Sequence, residues 1–562
     1  MKPEIRHFDN LSFSDQCDLI KSSDFADKGD LILRSADPKS IFSDLTCQDF
    51  FLIYHESGDE IQPDILKFSS PDQIVFVSDF ECWKKDEINQ KGFLKWLDML
   101  NQSGHEQIQT WLVSSDHELI VSALQKFVEV VKTEHLELID DYIGDRPFFT
   151  LDNLYYICIE GDNHDAIRQI INHIYEGNRS MYVSLLEALI SEDEWEVLEE
   201  AYKSRNERLT EFGFPQKEEA MKIYQDIKDF SSLEEKNKKD RSCFSKDIMF
   251  SYPVISNVKD LFLDRVLTLH FQKFPKDDSI DWEFACLANK IISCENVDFL
   301  HSQTIKQCLN RAKKLVSLSL EDLSHGNMET ALDLLSTYWI EDLFRWGVTR
   351  IRKLRQFTLD ILPKVHLDHL ESLLKFLGSP WDVKLKGLFQ FCPVKAKENA
   401  SFEVQEYEDF ESLKQVETLY HELIEIQAVL EFFISHLGPK WLHVLEKNLK
   451  GLNQIRGEIT WMPLMATLCA QLCLKRSFSF DPLNIEDVKH FIKKGFDSQT
   501  PFRKLLPEVK TSLIQALDIG VLQEESVLFK ILFARMEEEL GGLNLRIGLS
   551  PSYLPILLLK AS

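Results

Sequence analysis

The sequence has no segment that is both long enough and apolar enough to cross a membrane. Its longest run without a charged residue, Ile459 to Leu474, has 16 residues and includes Pro463, two threonines and a glutamine. A membrane-spanning helix needs about 20 predominantly apolar residues. We therefore expect a buried core helix that begins near Pro463, and no membrane insertion. The opening residues MKPEIRHFDNLSFSDQ lack the apolar core of a signal peptide, so we expect a cytoplasmic protein.

Metal and cofactor motifs are also missing. The 11 cysteines are scattered without a C-x-x-C pair, which is typical of reduced, buried thiols. His366 and His369 lie three residues apart with Asp368 between them, but no H-E-x-x-H motif and no third ligand accompanies them. The sequence contains no G-x-S-x-G, kinase, Walker or G-x-G-x-x-G pattern. It therefore indicates no metal ligand and no catalytic residue, and it identifies no cofactor.

Positive charge is scarce. The chain has 64 lysines and arginines against 92 aspartates and glutamates, which gives a formal net charge of −28. Nucleic-acid binding depends on neutralising phosphates, and docking on anionic lipid depends on basic residues. The charge balance therefore favours a protein partner over a nucleic acid.

Apolar residues are abundant, and the chain is long enough for several packed cores. Hydrophobic residues make up 44% of 562 residues and include 39 phenylalanines, so wholesale disorder is excluded. Two polar stretches, 231–247 and 393–415, have the composition of surface linkers. We place four domains around them: an N-terminal helical array at 1–145, a hairpin with helices at 146–230, a central helical domain at 248–392 and a C-terminal helical domain at 416–562.

Helix start signals occur repeatedly. Ser70 to Gln73 has the pattern of a capping box with a proline in the first turn. Ser115 to Glu118 and Ser191 to Glu194 repeat the S-x-x-E form, and Thr46 to Asp49 is a weaker relative. Apolar residues at three-to-four spacing follow these starts, which predicts helices.

The helices predicted between residues 37 and 135 are short, including one over HELIVSALQKFVEVV, and short links join them. Two-turn helices bury their apolar faces by stacking. Residues 147–159 interrupt the helical pattern with aromatic and β-branched residues, which favours one small β-hairpin. The predicted fold is mostly α: stacked short helices in a superhelical array, then helical bundles, with one small β-hairpin.

Three polar residues in YKSRNERLTEFGFP, Tyr202 to Pro215, form the first candidate site: Arg205, Asn206 and Arg208. Gly213 is placed to end this helix. In one interpretation the arginines pair with acids near them in the sequence, such as Glu199, Glu200 and Glu211. In the other, they bind an anion or a partner's carboxylate through the bidentate geometry of arginine.

A second basic cluster lies in IEDLFRWGVTRIRKLR, Ile340 to Arg355. An apolar stripe is predicted along this helix at Phe344, Val348, Ile351 and Leu354. The basic residues fall largely off the stripe, and our candidates for an anion or partner contact are Arg345, Arg352 and Arg355. Pairing with the chain's own acidic helices is the competing interpretation.

Three segments carry a family resemblance: EEAYKSRNERLTEFGFPQKEEAMKIY, IEDLFRWGVTRIRKLR and FFTLDNLYYICI. They resemble a family of uncharacterised bacterial proteins of about this length, DUF6178. The family carries no assigned activity, so the resemblance implies a fold more than a function. The N-terminal part, near residues 37–135, is similar in pattern to the helical cytosolic domain of a magnesium transporter family and to helical domains of a flagellar motor-switch protein. No metal ligand and no transport activity is carried over.

These observations predict a non-catalytic cytoplasmic bacterial scaffold or adaptor that binds another protein through helical surfaces. The alternative is an enzyme or small-ligand sensor with its site between helical domains. A deep pocket with convergent charged residues would favour the alternative, and exposed apolar residues would favour the scaffold.

Overall fold

The computed structural model describes residues 8–9, 11–23, 25–134, 143–144, 146–159, 164–233, 261–275, 279–295, 302–398, 404–449, 460–497, 502–545 and 554–560. The structure is 69% helical and has 26 α-helices in these ranges, which confirms the mostly α fold.

The N-terminal helices are short and closely spaced. They are α1 (Phe13–Ser22), α2 (Phe25–Leu33), α3 (Pro38–Asp44), α4 (Cys47–Glu56), α5 (Gln62–Leu66), α6 (Pro71–Glu81), α7 (Gln90–Ser103), α8 (His105–Ser114), α9 (His117–Leu124), α10 (His164–Gly177), α11 (Arg179–Ser191), α12 (Glu194–Glu211) and α13 (Lys217–Ala220). Helices two apart in sequence pack together: α2 on α4, α4 on α6, α6 on α8, and α5 on α7. This is the stacking that short amphipathic helices need to bury their apolar faces.

Longer helices make up the central and C-terminal parts. They are α14 (Phe262–Lys273), α15 (Ser279–Glu295), α16 (Ser302–Ser324), α17 (Met328–Thr337), α18 (Ile340–Lys364), α19 (Leu370–Leu377), α20 (Trp381–Leu388), α21 (Leu413–Leu437), α22 (Trp441–Leu449), α23 (Trp461–Cys473), α24 (Ile485–Gly495), α25 (Pro507–Leu517) and α26 (Val527–Gly541). Helix α16 is central, because α14, α15, α17, α18 and α21 all pack on it. The buried helix expected near Pro463 is α23, with Pro463 in its first turn.

The β structure is larger than the single hairpin that the sequence predicts. The expected pairing is present, with β4 (Phe148–Phe149) antiparallel to β5 (Tyr155–Ile159). Strand β3 (Val128–Lys132) adds to the other edge of β5 and completes a three-stranded sheet. Two further antiparallel pairs are β1 (Trp83–Lys84) with β2 (Glu87–Ile88), and β6 (Lys395–Glu398) with β7 (Val404–Glu408). The single helix predicted over HELIVSALQKFVEVV is therefore wrong at its end, because its β-branched residues form β3.

Two of the four predicted helix N-caps are confirmed, and the other two helices begin later than predicted. The capping box at Ser70 is complete: the Ser70 hydroxyl accepts from the Gln73 amide, and Gln73 Oε1 accepts from the Ser70 amide. Thr46 caps α4 as expected. Helices α9 and α12 instead begin after Asp116 and Asp193, one and two residues later than their serines predict. Asp193 accepts two backbone N–H groups, whereas Ser191 is still the last residue of α11 and its hydroxyl donates to the backbone oxygen of Glu187.

Contacts cross one of the predicted domain boundaries. The three-stranded sheet joins residues before 145 to residues after 146, and α12 packs on α9. Most buried apolar side chains form one connected core that extends from Phe8 to Leu559. Residues 234–247 of the first predicted linker lie outside the described residues, while the second linker contains β6 and β7. The division into four domains stays a prediction.

Candidate functional site

The first candidate cluster joins α12 to α6 and α9. Arg208 makes a bidentate pair with Asp79 of α6, through Nη2 to Oδ1 at 2.8 Å and Nε to Oδ2 at 3.0 Å. Its Nη1 also donates to Asp116, which precedes α9. Asp79 is 1% exposed. Burial raises the pKa of the Asp79 carboxyl, and the bonds from Arg208 oppose that change. The arginine therefore holds a buried carboxylate of the chain itself.

Arg205 also joins α12 to α6. Its Nε donates to the backbone oxygen of Asp79 at 2.7 Å, and its guanidinium lies 5.3 Å from the centre of the Trp83 ring. Burial lowers the pKa of Arg205. Asn206 is partly buried, and its backbone oxygen accepts a bond from the Thr210 hydroxyl at 2.7 Å. The interpretation that the arginines pair internally fits this geometry, but with acids from other helices rather than with the three glutamates of α12.

The turn after α12 fixes the position of these arginines. Gly213 has a φ of 82°, which favours glycine, and the Phe214 amide donates back to Leu209. The Phe212 and Phe214 rings lie 5.0 and 6.2 Å from the Phe76 ring of α6. The segment is a packed structural junction.

The second candidate cluster, on α18, is also engaged within the chain. The expected apolar stripe is buried in the core. Arg345 pairs with Asp342 at 3.2 Å, and Arg352 pairs with Asp226 at 3.1 Å and donates to the backbone oxygen of Tyr224. Arg355 lies 5.9 Å from the centre of the Phe389 ring. Arg345 and Arg352 are thus paired within the chain, and Arg355 contacts an aromatic ring of the chain.

A third charged cluster was not visible in the sequence. Arg311 of α16 binds Glu295, which ends α15, at 2.6 Å and binds Asp409, which follows β7, at 2.8 Å. The Tyr224 hydroxyl donates to the same Glu295 at 2.5 Å. Burial raises the pKa of Tyr224, and it raises that of the nearby thiol of Cys392 to about 12. Four distant chain segments meet here, and no local motif marks such a meeting.

A cavity of about 490 Å³ lies at the end of α18. Its lining residues are Leu359, Leu362, Pro363, His366, Leu367 and Asp368. His366, one of the two histidines singled out by spacing, thus lines this cavity together with Asp368. Within the described ranges, no three residues among histidine, cysteine, aspartate and glutamate are grouped to hold a metal ion.

The corner between α11 and α12 exposes apolar side chains. Trp195, in the first turn of α12, is 77% exposed, and Ile190 and Val183 of α11 are 44% and 40% exposed. All ten tryptophans lie in the described ranges, and among them only Trp195 is largely exposed to solvent. Val183 and Ile190 are seven residues apart, so both lie on one face of α11. We call these three residues the α11–α12 corner.

Exposed carboxylates flank Trp195 on both sides in the sequence. The run from Ser191 to Glu200, SEDEWEVLEE, places six acidic residues around Trp195, and all six are exposed. Lys126 pairs with Glu194, and Asp193 caps the helix. In the described part of the chain, no ion pair engages the other four: Glu192, Glu196, Glu199 and Glu200. The sequence predicted an acidic helix face here. The tryptophan within this acidic run is the signal that could have marked it as a candidate binding surface.

No helix in the described ranges has both the length and the apolar character to span a bilayer.

Comparisons with known proteins identify a family and little else. No curated protein and no solved structure gives a significant match to the chain. The resemblance of the N-terminal helices to magnesium-transporter and motor-switch domains finds no support among these comparisons. The model of the family of unknown function DUF6178 matches residues 5–560, so the chain belongs to that family.

Proposed function

We propose that this protein is a non-catalytic scaffold or adaptor in the bacterial cytoplasm and that it binds another protein through a helical surface. The observation that supports this function most directly is the exposed tryptophan of the α11–α12 corner. Trp195 is 77% exposed, and the preceding helix α11 carries two exposed aliphatic residues, Val183 and Ile190. Tryptophan is enriched among the residues that dominate binding energy at protein interfaces. Leaving such a ring in water is unfavourable, and a partner that covers it gains apolar burial.

The contacts of the candidate arginines within the chain support the same function. Arg205, Arg208 and Arg352 hold acidic side chains or backbone oxygens of the chain itself. Each of these contacts joins elements far apart in sequence. They stabilise the arrangement of helices, and a stable arrangement is what a scaffold needs to present a surface.

Affinity capture from the native organism tests this proposal. The bait is the full chain, and the test variant is Trp195→Ala with Ile190→Ser. Phe502→Ala is the matched control, because Phe502 is 69% exposed and lies in the C-terminal part of the chain. We expect a partner that copurifies in fixed stoichiometry with the wild type and the control but not with the test variant. A wild-type bait that retains no stoichiometric protein would contradict the proposal.

The second candidate function is a small-ligand sensor or an enzyme whose site is the Arg311 cluster. The convergence of Arg311, Glu295, Asp409 and Tyr224 from four segments favours it. Thermal-shift screening of small anions and cations against the wild type and Arg311→Gln checks this candidate. A ligand that raises the Tm of the wild type alone would support it over the scaffold, since the variant lacks the charged centre of the cluster.

A further inference from the structure

We infer that the partner surface recognised by the α11–α12 corner is a basic protein segment, in which lysine or arginine residues accompany apolar ones. This inference rests on the proposed adaptor function and specifies the chemistry of the partner. Two features of the corner carry it: its exposed aromatic and aliphatic side chains, and four exposed carboxylates that have no ion pair within the part of the chain that the structure describes.

The carboxylates make the corner strongly negative. Glu192, Glu196, Glu199 and Glu200 flank Trp195 in the sequence, and none is engaged in an ion pair within the described residues. Some other carboxylates of the chain are neutralised by a basic partner, as Asp79 is by Arg208 and Glu295 is by Arg311. Like charges placed this close repel one another, and a cationic partner relieves that repulsion.

The exposed ring adds a contact suited to the same partner. A lysine ammonium or arginine guanidinium within about 6 Å of a tryptophan face is attracted by the ring. The chain already shows such contacts, with Arg205 lying 5.3 Å from the centre of the Trp83 ring and Arg179 lying 4.1 Å from that of Tyr175. Trp195 has an equivalent ring that is 77% exposed. A cation placed on it would also lie near Glu199, one helical turn further along α12.

The aliphatic residues determine what else the partner carries. Val183 and Ile190 are seven residues apart and lie on one exposed face of α11. A purely basic segment would leave both side chains in water, so the partner segment must also contain apolar residues. Nucleic acid and anionic membrane are disfavoured, because their phosphates would meet the same carboxylates.

Peptide binding to the full-length protein tests the inference. The probe is a labelled synthetic peptide that carries lysine and leucine at helical spacing, and its counterpart has glutamate in place of every lysine. Fluorescence anisotropy at about 0.15 M salt, where screening limits long-range attraction, measures the dissociation constant. We expect binding of the lysine peptide only. We also expect acrylamide quenching of tryptophan fluorescence to fall on binding, because Trp195 is the exposed tryptophan.

Two variants localise the binding. Trp195→Ala, and separately the triple variant Glu196→Gln, Glu199→Gln and Glu200→Gln, should each raise the dissociation constant roughly tenfold. The matched control removes the same three charges elsewhere, in the triple variant Glu417→Gln, Glu524→Gln and Glu525→Gln, since these glutamates are also exposed. This control should bind like the wild type. Circular dichroism and the Tm verify that every variant is folded.

Three results would overturn the inference. The first is that the lysine peptide does not bind. The second is that the control triple variant loses as much affinity as the corner variant, because that would indicate a general attraction to an acidic chain. The third is that the glutamate peptide binds as tightly as the lysine peptide. The adaptor function is judged separately by affinity capture. If a captured partner needs Trp195 but still binds the variant with the three glutamine substitutions, the adaptor function would stand. The inference that the partner segment is basic would then be wrong.

Discussion

At the scale of single residues, the acid that matters most to the first candidate cluster lies far away in the sequence. Asp79 is 129 positions from Arg208 and is buried inside α6. The sequence offered a partial signal, since a carboxylate within the apolar run IVFVSDF requires a buried partner. It offered no means of choosing Arg208 as that partner, because separation along the chain does not indicate which helices pack together.

Removing Arg208 should be costly. Arg208→Ala leaves Asp79 buried without its bidentate partner, and breaking a buried pair destabilises by about 3–5 kcal/mol. Urea unfolding measures the change in the free energy of unfolding. Lys203→Ala is the control, because Lys203 is exposed on the same helix and should change stability by less than about 0.5 kcal/mol. If Arg208→Ala were as stable as Lys203→Ala, the ion pair would not stabilise the junction.

A histidine pair predicts a pH dependence. His105 Nδ1 and His173 Nδ1 lie 2.8 Å apart between α8 and α10. Burial, and then the charge of His105, lower the pKa of His173, while Glu176 acts in the opposite direction. A lowered pKa in the folded state means that the unfolded chain binds the proton first. Stability should therefore fall as the pH drops below about 6.5, the ordinary histidine value.

The test compares Tm values between about pH 8 and pH 5. His173→Gln should lose less stability on acidification than the wild type, because it lacks the imidazole whose protonation is disfavoured in the folded state. His443→Gln serves as the control, since His443 is exposed and should leave the pH profile unchanged. Parallel profiles for the wild type and His173→Gln would contradict the assignment.

At the scale of elements, local signals predicted the helices well and the strand β3 poorly. The buried helix at Pro463 and the capping box at Ser70 follow from short patterns that act within one turn. The run VEVVK was included in a helix because its apolar spacing continued from α9. Its three valines favour a strand, and pairing with Tyr155–Ile159 decides the outcome. That pairing is a tertiary contact, so it lies beyond the reach of local pattern.

The sheet leads to a prediction about fragments. A fragment of residues 1–145 would contain β3 without β5 and Asp79 without Arg208. A fragment of residues 1–233 retains both contacts and all helices that pack on α7, α8 and α9. We expect the longer fragment to melt cooperatively and the shorter one to show a weaker, broader transition by circular dichroism. A sharp transition of the shorter fragment at the same Tm would show that the array folds without the sheet.

At the scale of the whole molecule, helix start signals and apolar periodicity predicted the fold class, while the arrangement of the helices required the structure. Apolar periodicity identifies which face of each helix is buried, as on α18. It does not identify the neighbour. The Arg311 cluster illustrates the limit, because residues 224, 295, 311 and 409 meet only after the central helices have packed. The exposed corner at Trp195 was within reach of the sequence, since six acids around one tryptophan are visible in it.

The charge of the whole molecule leads to the last prediction, that the protein does not bind nucleic acid at physiological salt. The formal net charge is −28, and the strongest basic cluster, on α18, is paired within the chain through Arg345, Arg350 and Arg352. Few cationic groups are therefore available to replace the counterions of a phosphate backbone. Titration of labelled single- and double-stranded DNA and RNA at about 0.15 M salt should show no submicromolar binding. Submicromolar binding that Arg352→Ala abolishes would contradict this prediction. It would mean that the arginines of α18 bind phosphates in preference to their acidic partners within the chain.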